Sequence, residues 1–296
     1  MDPPASFSGF SSDLFNLLQY LCMLSAILIP VIWKIYVFNT EFRFYGRHVF
    51  YGFCVMLTSL LSIPLALRNP GDPSNARDAV AWIFVKLLKV PQLFGITVEA
   101  RGLKNFDVKG PFIVVCNHQT SLDLIPMCSV LPSRCASMAK RELMYAGPFG
   151  LAFLLSGGVF VDRRPGKSRD TIERTVRQLK QKNAGLWIFP EGTRNHAGGL
   201  LPFKKGAFLM AVQGQFPVIP VIISSYSAFY DLAARKFESG KVIVTVLPPV
   251  SSKPYTVDSI QNFVDDVTSS MLAVYELSSK EALSGSVGCS AEKHDS

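Results

Sequence analysis

The chain has 296 residues, 49% apolar and only 18% charged, with a mean hydropathy of +0.27; soluble domains carry about 25% charge, so a disordered chain is excluded and solubility along the whole length is not expected. Six cysteines without a CxxC spacing, and four histidines without an HxxxH spacing, exclude a disulfide scaffold and give no sign of a metal site. The balance of 30 Lys and Arg against 22 Asp and Glu, net +8, favours an anionic partner: lipid headgroups, a phosphorylated substrate or nucleic acid.

Residues 14–33 carry no charge between Asp13 and Lys34, and residues 49–67 carry none between His48 and Arg68. At about 1.5 Å per residue each is long enough for a hydrocarbon core of about 30 Å. This predicts a transmembrane helix pair, with Pro30 and Pro64 near the distal ends, where a kink is tolerated. A buried helix pair in a large globule is the competing reading. A signal peptide fits poorly, because no basic segment precedes Leu14 and no A-x-A-like site follows the apolar run. Residues 69–77 (NPGDPSNAR) are a breaker-rich linker. Residues 78–90 (DAVAWIFVKLLKV) read as an amphipathic helix, suited by Trp82 and two lysines to a membrane interface and equally suited to a core.

Strand and helix signals then alternate. Strands are expected at 112–116 (FIVVC), 186–189 (LWIF), 218–223 and 241–247 (KVIVTVL). A helix is expected from Ser168 to Asn183, with Ile172, Val176 and Leu179 on one face. A last helix is expected over 256–276, with Ile260, Phe263, Val264, Val267 and Met271 inward. The uncharged runs 143–161 and 207–230 are broken by Pro148, Gly157, Gly158, Pro217 and Pro220, so they read as short buried elements rather than spans. Residues 278–296 are small and polar and are expected to be disordered. The resulting class is α/β: a mixed, mainly parallel sheet covered by helices, with an N-terminal transmembrane helix pair. The expected divisions are a membrane region at 1–68, a linker and interfacial helix at 69–92, the α/β domain at 93–277 and a tail at 278–296.

Three clusters could carry chemistry. His118 follows the FIVVC strand directly, where α/β sheets place ligands. Asp123 lies five residues on. In a continuous helix the two side chains would diverge by about 140°. With His118 in a turn, Thr120 or Ser121 can cap the next helix and Asp123 can reach back to the imidazole. A carboxylate on Nδ1–H leaves Nε2 free as a general base. No serine lies in a G-x-S-x-G setting, so such a base would activate a hydroxyl on a bound substrate. The second cluster is Phe189-Pro190-Glu191-Gly192-Thr193-Arg194. A type II turn explains the proline and glycine, whereas Thr193 and the Arg194 guanidinium suit a phosphate. Lys204 and Lys205 follow as further cations or as a solvated pair. The third cluster is Gly157-Gly158-Val159-Phe160-Val161-Asp162-Arg163, where the glycines permit close backbone approach and Arg163 is a second candidate anion clamp.

These blocks resemble one family. His118 with Asp123 matches NHx4D; Gly157, Phe160 and Arg163 match GxxFxxR; residues 189–194 match FPEGTR; Val218-Ile219-Pro220-Val221 matches a fourth, proline-centred block. The chain resembles the 1-acylglycerol-3-phosphate (lysophosphatidic acid) acyltransferases of the PlsC-like superfamily over roughly residues 95–250. Residues 139–143 (AKREL) and 203–208 (FKKGAF) resemble this branch in particular. The resemblance implies a PlsC-like fold and transfer of an acyl group from acyl-CoA to the sn-2 hydroxyl of lysophosphatidate. It implies His118 as base, Asp123 as its partner, and Glu191, Gly192, Thr193 and Arg194 as acceptor contacts, with Arg163 and Lys205 beside them. It also implies a multi-pass protein of the endoplasmic reticulum membrane. Acyl-CoA is a co-substrate, a thioester is already activated, and no metal or other cofactor is expected. Glycerol 3-phosphate or another lysophospholipid is the alternative acceptor. A nucleic-acid partner fits the charge but not the apolar segments.

Overall fold

The computed structural model describes residues 8–162 and 168–291. Contacts divide the chain into two compact units, Met1–Val49 and Phe50–Ser296. The first holds helix α1 (Ser8–Phe38) and the start of α2 (Thr40–Ala66). Phe15, Ile27, Trp33 and most other large apolar side chains between Leu14 and Phe38 are exposed around the helix's whole circumference. A helix apolar all round belongs in a core or a membrane. Both helices are long and apolar enough to cross a membrane, over Leu14–Phe38 and Thr40–Ala66.

The boundary expected at residue 68 therefore moves. Residues 50–66 of α2 belong to the second unit, because Tyr51, Cys54, Thr58, Ser59, Ser62 and Ala66 recur at three- and four-residue spacing and are buried. The Tyr51 hydroxyl donates to the Ser121 carbonyl at 2.8 Å. The linker is pinned as well. Asn75 is buried, and its amide donates to the carbonyls of Asn69 and Leu155 at 2.8 and 2.9 Å. The amphipathic segment forms two π-helical turns, Ala76–Ala81 and Ile83–Leu87, rather than one α-helix. Ala79, Ala81, Ile83 and Phe84 are buried while Trp82 and Leu87 stay exposed.

The remaining elements follow in chain order: α3 (Val90–Leu93), β1 (Ile96–Arg101), β2 (Ile113–Cys116), α4 (Leu124–Val130), β3 (Cys135–Lys140), α5 (Pro148–Leu155), β4 (Val159–Val161), α6 (Ser168–Lys182), β5 (Gly185–Ile188), α7 (Gly206–Gly214), β6 (Val218–Ile223), a hairpin of β7 (Tyr230–Asp231) and β8 (Lys236–Phe237), β9 (Gly240–Val246) and α8 (Ile260–Ala291). The sheet order is β1-β9-β6-β2-β5-β3-β4. Every pairing is parallel except β6 with β9.

Strands β2, β5 and β6 are buried at every position, as continuous apolar runs covered on both faces must be. Ile113, Val115, Leu186 and Ile188 face a core built with α6, α7 and α8, through residues such as Val176, Phe208 and Phe263. The alternate residues Val114, Cys116 and Trp187 point to the other face and are equally buried. Edge strand β1 carries charge instead. Glu99 pairs with Lys241 and Arg101, and Arg101 also pairs with Glu281 of α8, which guards the edge against strand addition.

The tail expectation is corrected in part. Helix α8 continues through Ala291, past the expected end at 276, and Ser278, Ser279 and Ala282 are buried. Their small size lets the helix lie close: the Ser225 N–H donates to Ser279 Oγ at 2.9 Å. Gly157 and Gly158 also permit close approach, but by the protein itself. A Cβ on Gly157 would meet the Gly71 carbonyl at 2.9 Å, and one on Gly158 would meet the Phe153 ring at 2.2 Å.

Candidate active site

Strands β4, β3, β5, β2 and β6 run the same way, so their carboxyl ends lie along one edge of the sheet. Adjacent strands pair Val115 with Ile188 and with Pro220. The loops after β2, β5 and β6 therefore leave side by side. They carry His118, the 189–195 segment and Tyr226.

The β2 loop is shaped by its own polar side chains. Asn117 is fully buried and exchanges two hydrogen bonds with the Ile223 backbone, at 2.9 and 2.8 Å. Gln119 donates to the carbonyls of Ile223 and Ser224. Flanked by these anchors, His118 is directed outward. Thr120 caps the next turn: its hydroxyl accepts the Leu122 N–H, while the Asp123 carboxylate accepts the Thr120 N–H at 3.1 Å. That capping box turns Asp123 back toward the imidazole, with 2.6 Å between His118 Nδ1 and Asp123 Oδ2. The same oxygen accepts the Gln119 N–H at 2.7 Å, and the other, Oδ1, accepts the Tyr226 hydroxyl at 2.7 Å. Asp123 is buried, whereas His118 is only partly so. With Nδ1 engaged, Nε2 is the ring nitrogen left to face a ligand.

The 189–195 segment holds His118 from the other side. The Phe189 ring stacks on the imidazole at 4.1 Å and 19°. The Glu191 carboxylate accepts the His118 N–H at 2.8 Å and the Leu201 N–H at 3.2 Å. The Asn195 N–H donates to the His118 carbonyl at 2.8 Å. Glu191 is thus a buried staple between loops, not a wall of the cavity. Burial raises its carboxyl above the ordinary range, against the pull of the two N–H donors. A β-turn is present, closed by the Gly192 N–H on the Phe189 carbonyl at 3.1 Å. It is not type II: Glu191, its third residue, has no positive φ, and the positive φ of +71° falls on Gly192. The Lys204 side chain lies over Gly192, where a Cβ would sit 2.6 Å from Nζ.

A cavity of about 1280 Å³ opens at this sheet edge. His118 and Asp123 line it, with Gly192, Thr193, Arg194, Lys204 and Lys140 as further polar wall. Most of the remainder is apolar, including Leu124, Met127, Leu131, Phe149 and Phe153. Arg194 is exposed and has no ion-pair partner among the described residues. The cavity can receive a long apolar chain whose anionic head meets these cations while a reacting group sits near Nε2.

Of the residues expected from sequence, His118, Asp123, Gly192, Thr193 and Arg194 come together here. Lys205 does not: it sits at the residue before α7 without a side-chain capping bond, and its neighbour Lys204 takes the cavity wall. Arg163 lies outside the described residues. Tyr226, Gln119 and Asn195 were not singled out by sequence, and none stands at a diagnostic spacing from His118. Asn117 is the first residue of the NHx4D block, but the block assigned it no role.

The acyltransferase family model matches residues 97–224. The 1-acyl-sn-glycerol-3-phosphate acyltransferase alpha of Homo sapiens is 39% identical over 259 residues, covering 87% of this chain and 89% of that protein. The beta form of Homo sapiens is 36% identical over 250 residues, covering 82% and 87%. Among solved structures, the 1-acyl-sn-glycerophosphate (LPA) acyltransferase PlsC from Thermotoga maritima aligns with a TM-score of 0.55 at 25% identity, over 79% of this chain and 94% of that one.

Proposed function

Because the chain belongs to the 1-acyl-sn-glycerol-3-phosphate acyltransferase family, we propose that it uses acyl-CoA to acylate the sn-2 hydroxyl of lysophosphatidate, giving phosphatidate. His118 Nε2 takes the hydroxyl proton as the oxygen attacks the thioester carbonyl carbon. The tetrahedral intermediate collapses with cleavage of the carbon–sulfur bond, and the CoA thiolate takes the proton from the imidazolium. The buried carboxylate of Asp123 holds Nδ1–H and stabilises the imidazolium while it exists. No acyl-enzyme forms.

Arg194 holds the acceptor phosphate, with Thr193 and Lys204 beside it. A guanidinium fork matches two phosphate oxygens, and an ammonium supplies a point charge. Gly192 leaves room for Lys204. The apolar wall accepts the acyl chains. Helices α1 and α2 associate the enzyme with a membrane, and we place it in the endoplasmic reticulum as a multi-pass protein with the site on the cytosolic side, where acyl-CoA is supplied.

The observation that carries this reading is the His118–Asp123 pair at 2.6 Å, on the wall of a cavity that also holds Arg194 and Lys204. The test is thiol release by the purified, detergent-solubilised enzyme with acyl-CoA and an acceptor panel: lysophosphatidate, glycerol 3-phosphate, a lysophosphatidylcholine and a monoacylglycerol. The expected order puts lysophosphatidate first by at least about tenfold, the discrimination typical of losing a paired charge. Preference for a neutral monoacylglycerol would remove the phosphate from the argument.

A further inference from the structure

We propose that Tyr226 is a positioning residue for the His118–Asp123 pair: its hydroxyl fixes the second oxygen of Asp123 and so the orientation in which that carboxylate holds His118. This rests on the reading of His118 as the base.

A carboxylate has about four lone-pair positions. Asp123 Oδ2 is saturated by the His118 ring and by the N–H groups of Gln119 and Thr120. Oδ1 accepts Tyr226 alone, at 2.7 Å. Asp123 is 2% exposed and Tyr226 3%, so the bond between them is shielded from bulk water. Tyr226 is held from its own side. Its backbone carbonyl accepts the N–H groups of Phe229 and Tyr230 at 2.9 and 2.8 Å, and the preceding Ser225 N–H is tied to Ser279 of α8. The Phe229 ring packs at 5.5 Å. Tyr226 does not line the cavity, so it acts through Asp123 and not on substrate.

The other titratable groups facing Asp123 are His118, Cys116 at the end of β2, Glu191 after β5, Tyr230 in β7 and Tyr51 on α2. Among the described residues only Tyr226 hydrogen-bonds to Oδ1. Burial and the nearby carboxylate push its phenol well above the ordinary range, so it remains an O–H donor throughout the working pH range.

Without the phenol, Oδ1 loses its donor, the carboxylate is free to turn, the orientation of the pair loosens and kcat falls. The experiment is the separate determination of kcat and of both KM values for the full chain in detergent, for wild type, Tyr226→Phe, His118→Ala and a variant with fluorotyrosine at 226.

Tyr226→Phe should lower kcat about tenfold or more and leave both KM values within about twofold. Fluorotyrosine has the same shape and keeps the O–H donor; it should hold kcat within about twofold of wild type. Should Tyr226→Phe fail to fold, the fluorotyrosine variant decides: a loss of kcat of about tenfold with the donor in place would overturn the proposal. A Phe variant with a lowered melting temperature but unchanged kcat per folded enzyme would reduce Tyr226 to packing and overturn the proposal. If His118→Ala kept near-normal turnover, the base itself would be wrong. That result is separate from a silent Tyr226→Phe beside an inactive His118→Ala.

Discussion

Replacing Asp123 by Asn removes one charge and, because of the way the donors are arranged, very little else. Three donors converge on Oδ2: His118 Nδ1–H and the N–H groups of Gln119 and Thr120. The amide oxygen of Asn can take that place and keep all three. Its NH₂ then faces Tyr226, whose hydroxyl can turn and accept. The flipped amide would set an NH₂ against two backbone N–H groups, each conflict costing about 1–3 kcal/mol. The unflipped form is therefore favoured, and the histidine tautomer survives. In serine protease triads the same change inverts the tautomer and costs about 10⁴-fold; here the loss should be smaller.

The remaining loss is the attraction between the carboxylate and the imidazolium formed during reaction. Unit charges about 4 Å apart attract by about 4 kcal/mol at an effective dielectric of 20. The His118 side chain is 21% exposed, so solvent screens part of this. A figure of roughly 1.4–2.7 kcal/mol is reasonable, or about ten- to a hundredfold in kcat. The assay is thiol release by the purified variant, with a melting curve to confirm folding. A loss as large as that of His118→Ala would mean the amide has flipped, and the four-donor argument would fail.

Other outcomes follow from the same geometry. Arg194→Ala should raise the KM for lysophosphatidate by about tenfold or more, with a smaller change for acyl-CoA, and Arg194→Lys should recover only part because it lacks the fork; two-substrate kinetics showing a selective rise in acyl-CoA KM would move Arg194 to the donor site. Glu191→Gln should lower kcat while leaving the lysophosphatidate KM within about twofold, because the amide's one oxygen cannot hold both the His118 and the Leu201 N–H groups and neither is a ligand contact. Burial raises the Glu191 carboxyl above 4.5 in the fold, so its contribution to stability is full below the unfolded value and declines as pH rises through the folded one; the melting temperature of wild type relative to the Gln variant should therefore fall as pH rises past about 4.5. Deleting residues 1–38 should weaken membrane retention yet leave the α/β unit folded, whereas deleting 1–67 should unfold it by stripping Tyr51, Cys54 and Ala66 from the core, as judged by circular dichroism and limited proteolysis.

What was legible in the sequence was what local pattern decides. Strands β2, β5, β6 and β9 are apolar runs bounded by turn residues, and they lie within a residue or two of expectation. The return of Asp123 to His118 was legible as a capped turn with Thr120 or Ser121 as the cap, and the structure puts Thr120 there. What stayed hidden is set by neighbours. Strand β3 (CASMAK) has small residues and a lysine, and it is a strand because β5 and β4 pair with it on both sides. Strand β1 carries Glu99 and Arg101 and takes its place at the edge by pairing with β9. The serines at 278 and 279 read as a solvated tail, yet they are buried in α8, where Ser279 meets Ser225. A motif supplies residue types but not the direction of each side chain. Hence Glu191 was expected on a ligand and points to backbone, and Lys205 was expected where Lys204 lies.

The misdirected Glu191 explains how two separate motifs become one site. His118 is gripped at both backbone groups by the same loop: its N–H by Glu191 and its carbonyl by Asn195. Between those two residues lie Gly192, Thr193 and Arg194, the part of the loop that lines the cavity. The imidazole is stacked on Phe189 from that loop as well. The proposed base and the proposed phosphate contacts are therefore not two sites that happen to be near. They are two ends of one hydrogen-bonded unit, fixed by the parallel register of β2 with β5. Under the proposed reaction, an acceptor phosphate on Arg194 braces the segment that sets the height and tilt of His118. Binding energy from a part of the substrate that does not react is thereby available to the geometry of proton transfer. A carboxylate aimed at a ligand would add a negative charge against a phosphate. Turned inward, the same carboxylate avoids that repulsion, and the buried backbone donors it accepts hold the base in line.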